Sequence, residues 1–560
     1  MMEFNITRNA KTEKWNKHWQ FCVGSGHAAF ALRADYAKQL KFIHDELGIR
    51  FVRFHGIFND DMHTLDNFTH ILPIPGMECH QERNFYLCGA AYDNILACGM
   101  KPFVELGFMP QALAKNPEHG VNFYGSIFSD PRDHAEWAEY IKAFIRYLLH
   151  RYGQQEVESW FFEVWNEPDL QGSFYQGTQE DYFKLYEVTA KAIKEVCPSL
   201  RVGGPATSGS KWVKRFVDYC EKKALPLDFV STHQYSGDPL GGVKDEGGPD
   251  GMMDDIAEKT ETEERHGNRS SDAAAEVSAR PEETDPREML MSMIAKAMSN
   301  VPEDASCLQI LRTIMGDPSE TNEIPNFAFR ENSGIVKQQA KGLPVYYTEW
   351  NMQATFSAYS NDTRKTAAYD VKTALDVEKN VTGSSVWCFS DIFEEFHQFK
   401  EEFHGGFGLQ TIHGIPKPSF YGLKMLAQAG DERYVLGDEA TDGEIGIAAF
   451  RDKGKRQVLL FRQKMKQLDL QKERAEVSVE LDHAPKGVFL QRIDEEHCNP
   501  LKVWEEMGSP ADLNPAEVNE IIEKSAMTAE ELPYIYEDGK VSFHAELGVN
   551  DIYFVTIQEG

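Results

Sequence analysis

The chain has 560 residues, 41% of them apolar, and its 89 acidic and 58 basic side chains leave a net charge of −31. That length allows two to four domains of roughly 100–200 residues each, although barrels often run longer as one unit. So acidic a chain repels phosphate backbones and anionic lipid, which argues against nucleic acid or a membrane surface as partner and leaves a neutral ligand unaffected.

At the N-terminus, Met2–Thr7 reads as an edge strand that joins a later sheet, and MMEFNITRNAKTEKWNKHWQ contains no apolar run of signal-peptide type. No stretch reaches the length of a membrane span. Nine cysteines, at 22, 79, 88, 98, 197, 220, 307, 388 and 498, form no CxxC or zinc-type spacing. Reduced, buried thiols in a cytoplasmic protein account for that pattern.

From residue 20 to residue 430 short apolar strands alternate with amphipathic helices. The strands are expected at Phe21–Gly24, Arg50–Phe54, Lys101–Leu106, Trp160–Val164, Arg201–Gly203, Phe229–Thr232, Val345–Thr348 and Ser384–Cys388. Between them, Asp133–Tyr152 places apolar residues at 137, 140, 141, 144, 145, 148 and 149, with Asp133 as start signal and Gly153 as stop. Similar stripes occur at 35–47, 84–98, 179–195, 211–223 and 363–377. Eight such units predict a (β/α)₈ barrel over residues 15–429, the alternative being a doubly wound open sheet.

The connection 236–340 between strands six and seven is far longer than an ordinary loop. Its first part, Lys244–Arg287, is dense in charge, Gly and Ser and reads as a solvated insertion. Met289–Ile314 is more apolar and helical in pattern, as a lid or a subunit contact would be, so a homo-oligomer is compatible with the sequence. After residue 430 the runs IGIAAF, RQVLLF, EVSVEL, GVFLQRI, KVSFHAEL and DIYFVTI predict a β-sandwich over 430–560, joined by residues 1–14, with a helical patch at Asn514–Ser525.

Polar residues collect at the C-terminal ends of the strands: Arg53 and His55 on strand two, Asn166 and Glu167 on four, His233 and Tyr235 on six, Glu349 on seven, Trp387 on eight. In a (β/α)₈ barrel those ends converge on the face that carries the active site. A lone Glu at a strand end is usually a solvated cap or an ion-pair partner. Here two occur, each among aromatics, on strands that lie nearly opposite one another. Glycoside hydrolysis requires such a pair: one carboxyl group protonates the leaving oxygen, and the other attacks the anomeric carbon or activates water. Arg53 is the cation that would keep one of them ionised.

The motifs VGSGHA, FVRFHGIFNDDM, KPFVELGFMP, FFEVWNEPDL, GGPAT, DFVSTHQY, TEWN, WCFSDIFEE and GGFGLQTIHGIPKP, in this order, resemble glycoside hydrolase family 39 of clan A, most like its bacterial β-xylosidases, and NPLKVWEEMGSP extends the likeness into the sandwich. The resemblance implies that Glu167 is the acid/base and Glu349 the nucleophile of a retaining enzyme. It also implies that Asn166 holds the sugar 2-hydroxyl and that His55, His233, Tyr235, Trp387, Glu394 and Glu395 line the first sugar subsite, without cofactor or metal. Iduronidase-like members carry a Lys two residues after the strand-six His. This chain has Tyr235 there, which supplies no positive charge for a uronic acid. A neutral pentose, removed as β-D-xylosyl units from xylo-oligosaccharides, is therefore expected. The alternatives are another retaining glycosidase (an α-L-arabinosidase, another β-glycosidase, an iduronidase-like enzyme) and a sugar-binding relative without activity.

One motif points elsewhere. Gly24–Ala29, GSGHAA, matches GxGxxA, with Asp45 about twenty residues on. A dinucleotide site needs that acidic residue at the end of the second strand, and Asp45 falls within the preceding helix. No nucleotide is expected.

Overall fold

The structure is a computed structural model and describes residues 2–67, 81–120, 122, 124–236, 301–302, 305–321, 327–393, 395, 399–466, 468 and 470–560. Eight parallel strands close into a barrel: β1 (Cys22–His27), β2 (Phe51–His55), β3 (Lys101–Leu106), β4 (Phe161–Val164), β5 (Arg201–Thr207), β6 (Phe229–Tyr235), β7 (Val345–Asn351) and β8 (Gly383–Val386). Their side chains are buried almost throughout, as strands covered on both faces require. Each is followed by a helix: α1 (Ala34–Leu47), α2 (Tyr86–Ala97), α3 (His134–Tyr152), α4 (Gln179–Val196), α5 (Val213–Lys223), α6 (Ala328–Gln339), α7 (Arg364–Asp376) and α8 (Pro418–Gln428). The open-sheet alternative is thereby set aside.

Local chemistry explains the helix boundaries. On α3 the buried stripe is Trp137, Tyr140, Ile141, Phe144, Ile145 and Leu148; the Asp133 carboxylate accepts from the Ala135 N–H at its start. Thr178 and Asp181 form a reciprocal capping box on α4, and Pro418 occupies the first turn of α8.

The floor of the barrel is aromatic. Phe21, Cys22, Phe51, Phe103, Phe161, Phe229 and Tyr346, all near the N-terminal ends of strands, pack into one cluster. Phe103 stacks on Phe161 at 5.4 Å, and the Arg201 guanidinium lies 3.7 Å over the Phe161 ring. With this end plugged, the polar C-terminal ends of the strands form the opposite mouth.

Beyond the barrel, two sheets face each other. One contains Met2–Ile6, Glu473–Glu480, Lys540–Leu547 and Ile535–Glu537, with Met2–Ile6 on its edge, in parallel with Glu473–Glu480. The other is centred on Pro485–Ile493, Ile552–Glu559, Lys455–Phe461 and Gly446–Asp452. Ile6, Ile447, Val458, Val477, Val488, Phe543 and Val555 fill the space between them, which makes this an accessory sandwich. The expected helical patch is present as Pro515–Lys524.

The span 236–340 contains the barrel's own α6, which packs between α5 and α7. Residues 237–300, and with them the whole charged run, lie outside the described residues. A helix at Cys307–Met315, capped reciprocally by Ser306 and Gln309, sets Leu308 and Leu311 in an aromatic cluster that includes Tyr235, Phe356, Trp387, Phe393, Phe399 and Phe407. Arg312 secures this helix by donating to the carbonyls of Ser357 (3.0 Å) and Phe403 (3.3 Å). Of the eight described cysteines, seven are buried as expected of reduced thiols; Cys307 is exposed. Among the described residues no helix is long and apolar enough to cross a membrane.

Candidate active site

Glu349 projects into the barrel mouth from β7, where it is 4% exposed. Its Oε1 accepts from Arg53 Nη1 at 2.7 Å and its Oε2 from the Tyr235 hydroxyl at 2.8 Å. Burial alone would raise its pKa. The charges of His233, Arg53 and His55 and the Tyr235 hydrogen bond outweigh burial, and the carboxyl stays below its ordinary value. Arg53, fully buried on β2, spreads its guanidinium over several acceptors: Nε to Glu163 at 2.6 Å, and Nη2 to Asn166 Oδ1 at 2.8 Å and Glu105 at 3.0 Å. Arginine suits this position because its donors are fixed in a planar fork.

Glu167 follows β4 on a constrained turn. Trp165 (φ 72°) and Glu167 (φ 42°) both lie in the left-handed region, which costs a non-glycine residue about 1–3 kcal/mol. The turn is held by the Glu167 N–H, which donates to the Ala206 carbonyl at 2.8 Å, and by Trp165 Nε1, which donates to the Phe174 carbonyl at 2.8 Å. Glu167 Oε1 lies 2.9 Å from His233 Nδ1, which is itself 3.7 Å from Glu349 Oε2. Ligating atoms of Glu167, His233 and Glu349 fall within 4.8 Å of one another, so the two carboxyl groups share one small space. Burial holds the His233 imidazole below its ordinary pKa.

A register shift on β6 creates this convergence. Thr232 pairs with Tyr347, but the next residue, His233, pairs with Glu349, so one residue of β7 is skipped. Such an irregularity re-aims side chains. It brings His233 beside Glu349 and leaves Tyr235 in reach of the same carboxylate.

The wall of the site is aromatic. The Trp387 ring lies 4.8 Å from the His55 ring, and it fits because residue 24 has no side chain: a Cβ there would come within 2.3 Å of Trp387 Cε3. The GSGHAA run thus serves close packing at the barrel mouth. Glu395 is buried near this wall. Burial pushes its carboxyl up to about 7, and neighbouring Glu349 and Glu105 add to that rise while His55 opposes it.

Three converging ligand atoms are the minimum for a metal, and Glu167, His233 and Glu349 supply them. The guanidinium 2.7 Å from Glu349 already supplies a positive charge there, so these groups fit acid–base and nucleophilic work better than metal binding.

The model of glycosyl hydrolases family 39 matches residues 2–261 and 304–542. The chain belongs to that family. It is 35% identical to a β-xylosidase of Caldicellulosiruptor saccharolyticus over 100% of this chain and 99% of the relative. It is 31% identical to a β-xylosidase of Geobacillus stearothermophilus over 91% and 86%. Among solved structures, a monomeric β-xylosidase from Caulobacter crescentus superposes with a TM-score of 0.73 at 26% identity, each chain fully covered. This family 39 protein is therefore a glycosidase, most similar to β-xylosidases.

Of the residues singled out from the sequence, Arg53, His55, Asn166, Glu167, His233, Tyr235, Glu349 and Trp387 come together around the mouth, joined by Glu395. Glu394 lies outside the described residues. Two carboxylates were not singled out, Glu105 on β3 and Glu163 on β4, both fully buried against Arg53. Each is an acidic residue inside an otherwise apolar barrel strand, KPFVEL and FFEV, and that signal was available.

Proposed function

We propose that this family 39 glycosidase is a retaining β-xylosidase that removes β-D-xylosyl residues from xylo-oligosaccharides by double displacement. The observation that carries the reading is the closeness of the two carboxyl groups, with oxygens within 4.8 Å. Retaining enzymes hold theirs about 5–5.5 Å apart, whereas inverting enzymes leave about 6.5–9.5 Å for a water molecule.

Glu349, kept anionic by Arg53 and Tyr235, attacks the anomeric carbon. Glu167 passes its proton to the glycosidic oxygen as the bond to the leaving group breaks. Glu167 then takes a proton from water, the resulting oxygen attacks the same carbon, and Glu349 leaves as carboxylate. Asn166, oriented by Arg53, meets the sugar 2-hydroxyl, while Trp387, His55, His233 and Glu395 shape the first subsite.

Substrate charge supports xylose over a uronic acid. Shorter matches relate the chain to α-L-iduronidases, for instance 32% identity to that of Homo sapiens over 14% of this chain. Yet Arg53 is already engaged by Glu105, Glu163 and Glu349, and Glu395 adds a further carboxyl. A sugar carboxylate would enter among those carboxyl groups with the Arg53 guanidinium already paired to three of them.

A panel of p-nitrophenyl glycosides, with NMR detection of the anomer released first, tests the reading. The expected result is cleavage of the β-D-xyloside with β-xylose appearing first. Initial release of the α anomer, or cleavage of a different sugar in preference, would refute it. Glu349→Ala should abolish turnover and regain it with azide as the α-glycosyl azide. Glu167→Ala should spare activated aryl leaving groups in the first step, since they need little protonation.

A further inference from the structure

Glu105 is fully buried and takes no direct part in the reaction above. A single oxygen, Oε2, accepts a hydrogen bond from His55 Nδ1 at 2.7 Å and pairs with the Arg53 guanidinium, whose Nη2 lies 3.0 Å away. Its other oxygen is buried without a hydrogen-bond partner among the described residues.

His55 is held by three aromatic rings and a carboxylate. Its ring faces Trp387 at 4.8 Å, with Phe108 at 6.0 Å and Phe174 at 6.4 Å, and Glu105 secures Nδ1. Its Nε2 lies 3.6 Å from Glu349 Oε1, beyond hydrogen-bond range. That nitrogen faces the Glu349 carboxylate, beside which a sugar hydroxyl would sit.

We propose that Glu105 is a positioning residue for the glycosidase reaction, which through one oxygen orients His55 with Nε2 toward the sugar and sets a negative charge against the imidazole. This rests on the site assignment made above. The groups facing His55 are Glu105 from β3, Glu349 from β7, Glu395 from the β8–α8 connection, His233 from β6, and Arg53 from its own strand. Burial works against the charged ring, but the Glu105 carboxylate and its hydrogen bond, together with Glu349, outweigh it and His55 titrates above the ordinary imidazole value. The cationic ring donates Nε2–H to a sugar hydroxyl, while Nδ1–H stays on Glu105.

Glu105→Gln is the informative change, because an amide oxygen can still accept from His55 Nδ1 and only the negative charge is lost. Removing an opposite charge at this distance lowers an imidazole pKa by about 1–3 units. With [13Cε1]histidine labelling, and His55→Gln to assign the signal, His55 of the wild type should titrate above the other buried histidines and fall by that amount in Glu105→Gln. On the preferred aryl glycoside, kcat/KM should drop about tenfold for each unit by which the lowered imidazole pKa falls below the assay pH, and recover toward wild type in acid, where the ring is again protonated. A loss from structural damage would be equal at every pH. Glu163→Gln, which loses an Arg53 contact without touching His55, should leave the His55 titration within a few tenths of a unit.

An unchanged His55 titration in Glu105→Gln, or a loss independent of pH, would overturn the proposal. Should that variant not fold, a wild-type His55 titrating at or below the ordinary imidazole value overturns it equally. The titration is read without ligand, so a wrong sugar assignment would show in the glycoside panel and leave this result standing.

Discussion

Gly24→Ala tests whether the glycine-rich run at the end of β1 exists to seat Trp387. A Cβ at position 24 would lie 2.3 Å from Cε3 of that ring, with a second ring carbon at 3.0 Å. Carbon atoms settle at about 3.5–4.0 Å, so either the indole or strand β1 must shift by about 1 Å. Overpacking of this kind costs about 1–3 kcal/mol of stability. The functional effect should exceed the structural one. Trp387 packs on the His55 ring, and a displacement of about 1 Å in a positioned group lowers turnover by as much as ~100-fold. The assay is kcat/KM on an aryl β-D-xyloside, read beside the midpoint of denaturant unfolding. A Gly24→Ala protein with wild-type kcat/KM and an unchanged midpoint would refute the packing argument and return the motif to the unexplained. The same methyl tests the rejected dinucleotide reading, which assigns no sugar-dependent effect to this position.

Two further outcomes follow from the buried groups. Glu395 has its pKa raised to about 7 from 4.5, so the folded protein binds a proton there that the unfolded chain has released. Stability should therefore fall as pH rises through about 4.5 and level off above about 7, with an upper cost near 3 kcal/mol, and Glu395→Gln should flatten that segment of the pH–stability curve. A variant whose curve still parallels wild type between pH 5 and 8 would show that Glu395 is not the titrating group. At the opposite end of the barrel, Phe161→Ala removes the centre of the aromatic floor and should cost about 3–5 kcal/mol while leaving KM unchanged. A raised KM in a well-folded Phe161→Ala protein would mean that the floor and the mouth are coupled.

Much of the architecture was legible in the residues. The stripe on α3, the Asp133 cap and the Gly153 stop carry their own geometry, because a helix is decided by neighbours within about four positions. The strands are legible in their apolar runs, although some C-terminal ends fall beyond the run: β6 continues to Tyr235 and β7 to Asn351. Polar residues there look like loop until a closed sheet buries them. In the candidate site, Glu167 and Glu349 stood out by motif, whereas Glu105 and Glu163 lay unremarked inside strands, since nothing local tells a buried ion-pair partner from a misplaced acid.

What periodicity and motif can decide for this chain is therefore its alternation of strands and helices, the end of the barrel that carries chemistry, and the family of that chemistry. Closure of the barrel decides the rest. Arg53 meets Glu105, Glu163 and Glu349 only because β2, β3, β4 and β7 enclose one interior, across separations of up to 296 residues. The skipped residue between β6 and β7 sets His233 against Glu349, and a strand pattern of period two carries no trace of such a shift. The empty position at Gly24 gains its meaning from a tryptophan that arrives 363 residues later, at the end of the eighth strand.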